Sequence, residues 1–278
     1  MADSDSLTLT VLGSAGAYRA HNGSRASGYL VQRGATTLVL DLGHGTYAPL
    51  AARLGIDALP KISAVAISHL HPDHWVDLAA LRHALVHGNK MGSDARSVSV
   101  VSPSGLAPRL ATLLDDRTPE EQAAGANDSL QPFAFSTWRS DAVLPPLGSG
   151  RVVPVGDLSL QSARVRHTGE SYAMRVALRD QPGLTYSGDV SHWEDLAAIV
   201  QSGDTLLCEA AGGSAQWREG DTHVTAYGAG KAAASAGAAK LLLTHFGAEV
   251  DPAEAVRAAA TEFSGEIVAV CEGDRFEI

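Results

Sequence analysis

The stretch Ile62-Ser-Ala-Val-Ala-Ile-Ser-His-Leu-His-Pro-Asp-His74 constrains this chain more than any other. Its apolar start, Ile62 to Ile67, is short and rich in β-branched residues, so it reads as a buried strand. It delivers His69, His71, Asp73 and His74, four potential metal ligands within six residues. Just past the strand the chain is still near-extended, and a period of two puts His69 and His71 on the same side. Pro72 then turns the chain, so Asp73 and His74 return toward the same space from another angle. This suits two adjacent ions better than one: a pair of imidazoles for the first, a carboxylate and an imidazole for the second. A polar surface loop would not need the spacing, because crowded imidazoles gain nothing without an ion.

Length and charge bound what such a centre can serve. A chain of 278 residues can bury a large core, as one big domain or two fused halves. We expect a single domain over 7–278 after a disordered start over 1–6. The formal net charge is −10 and no basic run occurs, which argues against long nucleic acids but not against small phosphoesters held through metal ions. Cys208 and Cys271, each in an apolar strand-like run, are expected to be buried, reduced thiols of a cytoplasmic protein rather than a disulfide. The opening Met-Ala-Asp-Ser-Asp-Ser has no apolar core, so no signal peptide is expected there. The longest apolar runs are too short or too interrupted by charge to cross a bilayer, so no membrane partner is expected.

The periodicity predicts strands at Leu7–Leu12, Ser27–Arg33, Thr36–Leu42, Ile62–Ile67 and Ser97–Val101, with helices at Tyr47–Leu54, Trp75–His87 and Leu106–Leu114. Residues 115–150 are rich in Asp, Pro, Gly and Ser and read as a connection with one helix, one strand near Phe133 and room for a lid. Strands follow at Val152–Val153, Leu158–Val165, Tyr172–Leu178, Leu184–Ser187, Thr205–Cys208, Lys240–Thr244 and Ile267–Val270, the last closing the chain. Helices are expected at Trp193–Val200, Ala226–Ala236 and Pro252–Phe263. Strands lead each half and helices come later. An αββα sandwich, two mixed sheets face to face with helices outside, fits this order better than one doubly wound sheet.

Three more polar residues close apolar strands: His167 after Ala163-Arg-Val-Arg, Asp189 after Leu184-Thr-Tyr-Ser-Gly, and His245 after Lys240-Leu-Leu-Leu-Thr. A sheet's open end is where a site can form. Each alone reads more readily as a loop or core residue; beside the first cluster, each becomes a candidate ligand. His69-Leu-His-Pro-Asp-His74, followed in this order by His167, Asp189 and His245, resembles the metallo-β-lactamase superfamily over nearly the whole chain. The resemblance implies that His69, His71 and His167 hold one divalent ion and that Asp73, His74 and His245 hold another. Asp189 and a hydroxide would bridge the two.

The branch follows from the surroundings. Lactamases, lactonases and glyoxalases usually follow the third histidine with Pro-Gly-His. Here His167 runs into Thr168-Gly-Glu-Ser-Tyr-Ala-Met-Arg175, which is similar to the ribonuclease Z and phosphodiesterase branch. Glu209 and His223-Val-Thr225 fit that branch's late acidic residue and His-x-Thr step. Between His167 and Asp189 there is no room for the arm that grips tRNA. The nearest resemblance is therefore to short-armed cyclic-nucleotide phosphodiesterases, supported by Leu9–Gly16, Ala26–Leu30 and Cys271–Glu277. Pro72 departs from the usual small residue, and His44 stands where an acidic residue is common.

The resemblance implies hydrolysis of a small cyclic nucleotide or cyclic phosphate by in-line attack of a metal-bridging hydroxide. Asp73 would ligate metal and accept a hydrogen bond from the nucleophile. His223 would protonate the leaving oxygen, with Glu209 holding its ring; a helix-start residue and a buried ion pair are the structural alternatives for these two. Five imidazoles and two carboxylates without a thiolate suit zinc, while manganese or iron can occupy such a set. The alternatives are hydrolysis of a lactone, thioester or β-lactam, a di-iron redox protein, and a non-catalytic binding module. A homodimer is plausible, because the open pocket of this branch is often walled by a second subunit. Ser14, His44 and Ser171 are candidate pocket residues; His21, His83, His87 and His192 have no assigned role.

Overall fold

The protein is described from a computed structural model over residues 6–17, 19, 24–88, 97–123, 129–139 and 143–278. Most of the expected disordered start, and His21, lie outside these residues. The chain opens with strands β1 (Thr8–Gly13), β2 (Gly28–Arg33) and β3 (Thr36–Leu42). Helix α1 (Tyr47–Leu54) precedes β4 (Ala64–Ala66), and α2 (Leu78–His83) precedes β5 (Val98–Ser102). Helices α3 (Leu106–Leu114) and α4 (Pro119–Ala123) then lead to β6 (Phe133–Thr137). The second half runs β7 (Val152–Val155), β8 (Leu158–Val165), β9 (Ser171–Ala177), β10 (Leu184–Tyr186) and β11 (Thr205–Glu209). It ends with α5 (Ala226–Ala236), β12 (Lys240–Thr244), α6 (Pro252–Ala259), β13 (Glu266–Ala269) and β14 (Arg275–Glu277).

These strands make two seven-stranded mixed sheets, ordered β14-β1-β2-β3-β4-β5-β6 and β13-β12-β11-β10-β9-β8-β7. In the first, the pairs from β14 to β3 are antiparallel and those from β3 to β6 parallel. The second repeats the scheme: antiparallel from β7 to β10, parallel from β10 to β13. The expected αββα sandwich is what forms.

Period-two alternation builds its layers. Leu38 and Leu40 of β3 join Leu160, Met174, Tyr186, Leu207 and Leu242 in the core between the sheets. Their neighbours Val39 and Val65 face outward, under Leu50 of α1, Leu78 and Leu81 of α2, and Leu110 of α3. On the far side Leu206, Cys208, Leu241 and Leu243 pack under the alanines of α5 and α6. Fully burying one such leucine contributes about 1.5–3 kcal/mol. The small alanine faces let α5 and α6 lie close on their sheet. Thr225 caps α5 by accepting from the Gly228 N–H at 3.2 Å, and Asp251 caps α6 by accepting from Ala253 at 2.8 Å.

Several boundaries differ from the periodic reading. The expected helix Trp75–His87 is broken: Pro72–His74 is a 3₁₀ turn, α2 starts only at Leu78, and Ala84–Gly88 is a π turn. Trp75 Nε1 donates to the Leu70 carbonyl and Asp77 accepts from the Tyr47 N–H, which ties Trp75–Asp77 to neighbours instead of a helix. Trp193–Ala198 is a 3₁₀ helix, where Asp195 binds the backbone N–H and guanidinium of Arg166. Strand β14 was not anticipated; three charged or aromatic residues carry no alternation, and pairing with β1 makes the strand. Cys208 is buried as expected, but Cys271 is exposed in the turn between β13 and β14, where its N–H donates to Asp274.

A buried ion pair fastens β9 to the loop before β11. Arg175 donates from Nε and Nη2 to Asp204 at 2.8 and 2.9 Å, and Asp204 also accepts from the Gly183 N–H and the Thr185 hydroxyl. Removing one partner strands a buried charge. Asp204→Ala is expected to destabilise the fold by about 3–5 kcal/mol, read as a lowered urea midpoint.

Candidate metal centre

The centre is built where strands of both sheets end. At the end of β3, Asp41 is fully buried with φ 54°, a left-handed backbone that is costly for a non-glycine residue. Four donors explain why it persists. Asp41 Oδ1 accepts from the Ser68 N–H at 2.7 Å; Oδ2 accepts from the Ser68 hydroxyl, the Tyr186 hydroxyl and His74 Nδ1 at 2.7, 2.8 and 2.7 Å. This one carboxylate thus joins the first sheet, the ligand turn and β10. With Nδ1 donating to Asp41, His74 turns Nε2 into the site. Gly43, two residues on, lies so close to the ligand turn that a Cβ would stand 1.8 Å from the Asp73 carbonyl oxygen.

The second sheet answers from four strand ends. His167 follows β8 and its Nδ1 donates to the Thr222 carbonyl at 2.8 Å. Asp189 follows β10 through Gly188, whose φ of 57° and closeness to the Tyr172 carbonyl oxygen leave no space for a side chain. Glu209 ends β11. His245 follows β12 with φ 51°, and its Nδ1 meets the Ser27 hydroxyl at 2.8 Å. His71 sets Nε2 3.4 Å from the Thr168 hydroxyl, leaving Nδ1 inward.

All these inner atoms converge. Asp189 Oδ2 lies 3.6 Å from His69 Nε2, 3.6 Å from His167 Nε2 and 3.3 Å from His245 Nε2. Its Oδ1 lies 3.3 Å from His74 Nε2, which is 3.5 Å from Asp73. His71 Nδ1 is 3.3 Å from His167 Nε2. His69, His71, His167 and Asp189 form one group able to hold an ion, and Asp73, His74 and His245 another. The buried His69 Nε2, His74 Nε2 and Asp189 Oδ1 have no hydrogen-bond partner. Orphaned buried atoms of this kind need an explanation, and cations among them supply one, so the donor set fits divalent metal.

The electrostatics agree. Burial holds the imidazoles of His69, His71, His167 and His245 below their ordinary pKa, and so neutral, as metal ligands must be. Burial opposes the charged form of His74 too, but Asp189 and Asp41 outweigh it and raise that ring. Burial alone would raise Asp189; the imidazoles around it, His245 foremost, keep it well below the carboxylate range.

His223 Nδ1 lies 3.0 Å from both oxygens of the buried Glu209 and 3.8 Å from Asp189. Burial works against the charged ring, yet Glu209 lifts it to about 9. Glu209 is fixed by the N–H groups of Val190 and Ala211 at 2.8 and 3.2 Å. A cavity of about 590 Å³ opens over the centre, lined by His71, Asp73, Asp189, His223 and His245 and walled by Gly16, Ala17, His44, Pro72, Ala211, Gly247 and Ala248. All nine residues singled out from the sequence therefore meet here. His44 lines the cavity as anticipated; Ser14 and Ser171 are buried and do not. No described residue of 115–150 lines it either, so that stretch is no lid over this cavity among the described residues.

Sequence reasoning missed Asp41, Ser68 and Ser27, the residues that orient the rings. A signal existed for Asp41: a carboxylate inside the apolar run Thr36-Thr-Leu-Val-Leu-Asp41-Leu42 has to find donors.

Comparison with known proteins now adds to the geometry. Residues 36–246 match the family described as "Beta-lactamase superfamily domain". An uncharacterized protein of Mycobacterium leprae is 31% identical over 277 residues, covering 97% of this chain and 88% of that protein. A probable metallo-hydrolase of Bacillus subtilis, YhfI, is 25% identical over 264 residues, covering 94% of this chain and 96% of the relative. The crystal structure of YhfI, a metallo-β-lactamase fold protein, superimposes with a TM-score of 0.80, covering 99% of this chain and 100% of that one. The short form of human tRNase Z superimposes with a TM-score of 0.71 at 19% identity, covering 98% and 99% of the two chains.

Outer partners of ligating imidazoles are worth roughly a tenfold to hundredfold in metal affinity. Asp41→Asn should weaken divalent-metal binding by about that factor, measured by competition against a chromogenic chelator, whereas an unchanged affinity would show that His74 orients itself.

Proposed function

Because this chain belongs to the β-lactamase superfamily and is a metal-dependent hydrolase, we propose that it is a dinuclear phosphodiesterase for a small cyclic nucleotide or cyclic phosphate. In this reading His69, His71 and His167 would hold one ion and Asp73, His74 and His245 the other, with Asp189 within reach of both groups. Residues 7–278 act as a single domain, since the ligands come from both sheets. The nitrogen-rich set favours zinc, with manganese or iron able to occupy it. When bound, such a pair lowers the pKa of water to near neutral and polarises a phosphoryl oxygen.

The observation that carries the phosphodiester reading is the pair His223–Glu209 at 3.0 Å on the cavity wall. Hydrolysis of a phosphodiester builds charge on the leaving oxygen, and a protonated imidazole can quench it. Glu209 keeps His223 protonated and spends Nδ1 on its own carboxylate, so Nε2 is the edge that offers the proton. Asp73, which also lines the cavity, would accept a hydrogen bond from the attacking water and keep its lone pair aimed. The small walls Gly16, Ala17, Gly247 and Ala248 leave room for the rest of a compact substrate. The net charge of −10 and the lack of a basic run favour a small molecule over RNA, although a tRNase Z shares the fold. None of the described helices is long and apolar enough to cross a membrane, in keeping with a cytoplasmic enzyme.

Two outcomes are expected. The metal-loaded enzyme should hydrolyse bis(p-nitrophenyl) phosphate and, in a screen, one class among cyclic mononucleotides, cyclic dinucleotides and terminal cyclic phosphates; turnover of a chromogenic β-lactam instead would favour the lactam, lactone or thioester alternative. His223→Ala should lower kcat by about a hundredfold or more with metal content unchanged, and parallel loss of metal would make the residue structural.

A further inference from the structure

The two histidines on α2 that the metal centre does not use form a cluster of their own. His83 is the last residue of α2, and His87 lies in the π turn Ala84–Gly88 that continues it. In a regular α-helix a residue four positions on is displaced by about 40° around the axis. A π turn is wider, with bonds reaching five residues back, and such turns are frequent at functional sites. Here the wider turn carries His87 back over His83, and the two ring centroids stand 4.6 Å apart with planes tilted by 51°. Imidazole pairs within the metal centre stand at comparable separations, His69–His71 at 4.7 Å, His69–His167 at 5.0 Å and His71–His167 at 5.1 Å, though those three are edge-on.

Both rings are exposed, while Leu78, Leu81 and Leu85 bury the opposite side of the same segment. No ion pair or hydrogen bond to either imidazole is found among the described residues, so neither ring is committed to a protein partner. We propose that His83 and His87 form a second, surface metal site, separate from the buried centre, for a borderline divalent transition ion. Two imidazoles and water suit Cu²⁺, Ni²⁺ or Zn²⁺ and not the oxygen-seeking Mg²⁺ or Ca²⁺. Such a site is open and exchanges readily. An ion there also clasps the π turn to the end of α2, and so stabilises the fold by mass action.

The test is a Ni²⁺ titration of the zinc-loaded enzyme by calorimetry, with metal analysis confirming that the zinc stays bound. Wild type should take up one Ni²⁺ equivalent and none of Mg²⁺, and Ni²⁺ should raise its Tm. His83→Ala and His87→Gln should each weaken Ni²⁺ uptake at least tenfold, abolish the Tm increase and leave hydrolytic activity unchanged. Equal uptake by the double variant, or no uptake by wild type, overturns the assignment.

Discussion

The structure depends on one uncomfortable contact: lone pairs facing lone pairs around Asp189. This carboxylate is 2% exposed, and an ionised group so buried costs several kcal/mol unless it is paired. The groups turned toward it are imidazole nitrogens whose rings are fixed from behind. His167 is held by a carbonyl, His245 by Ser27 and His74 by Asp41, and the carbonyl and the carboxylate, which only accept, take the outer N–H of His167 and of His74. A neutral nitrogen and a carboxylate oxygen at 3.3–3.6 Å repel unless a positive charge lies between them. Protons can answer this at one position, as the raised pKa of His74 indicates. They cannot answer it at five, because adjacent imidazolium rings would repel one another. Metal cations held among these groups would resolve the set together.

That arrangement needs both sheets in register. The candidate ligands leave β4, β8, β10 and β12, strands from the two sheets of the sandwich, and the inter-sheet core of Leu40, Tyr186, Leu207 and Leu242 sets the distance between them. Local geometry is strained to suit. Asp41 and His245 both take positive φ, and Gly43 and Gly188 allow approaches that no side chain permits. Each strained residue is over-determined by its bonds: Asp41 by four donors, His245 by Ser27. Because these contacts run between elements far apart in sequence, the site is stiff only when the whole sandwich is folded.

Much of this was readable from residue order because metal chemistry is local in one place. His69, His71, Asp73 and His74 declare themselves within six residues, and His167, Asp189 and His245 sit where apolar strands stop. The αββα architecture followed from the order of strands and helices. What stayed hidden depends on tertiary partners. Nothing in Trp75-Val-Asp77 announces that its side chains bond Leu70 and Tyr47 instead of continuing α2. Strand β14 exists only through pairing with β1. Cys271 follows the apolar Val268-Ala-Val270, but the chain leaves the sheet one residue too early to bury it. Asp41 and Ser27 act through a ring from another part of the chain, and a serine or an aspartate in a strand has no pattern that names its partner.

Histidine occurs eleven times in this chain, and the partner behind each ring sorts its possible work. A hydroxyl or carbonyl behind the ring, as for His69, His167 and His245, leaves it neutral and fit to bind an ion. A carboxylate behind the ring favours the imidazolium, and His223 against Glu209 is held that way. His74 tests the rule, since Asp41 stands behind it. That carboxylate also accepts from the Ser68 N–H, the Ser68 hydroxyl and the Tyr186 hydroxyl, and together with Asp189 it still raises the His74 ring. Glu209 faces His223 with both oxygens while two backbone N–H groups hold it in place. Both rings lie within 4 Å of Asp189 with a carboxylate on the far side, and both are raised in consequence.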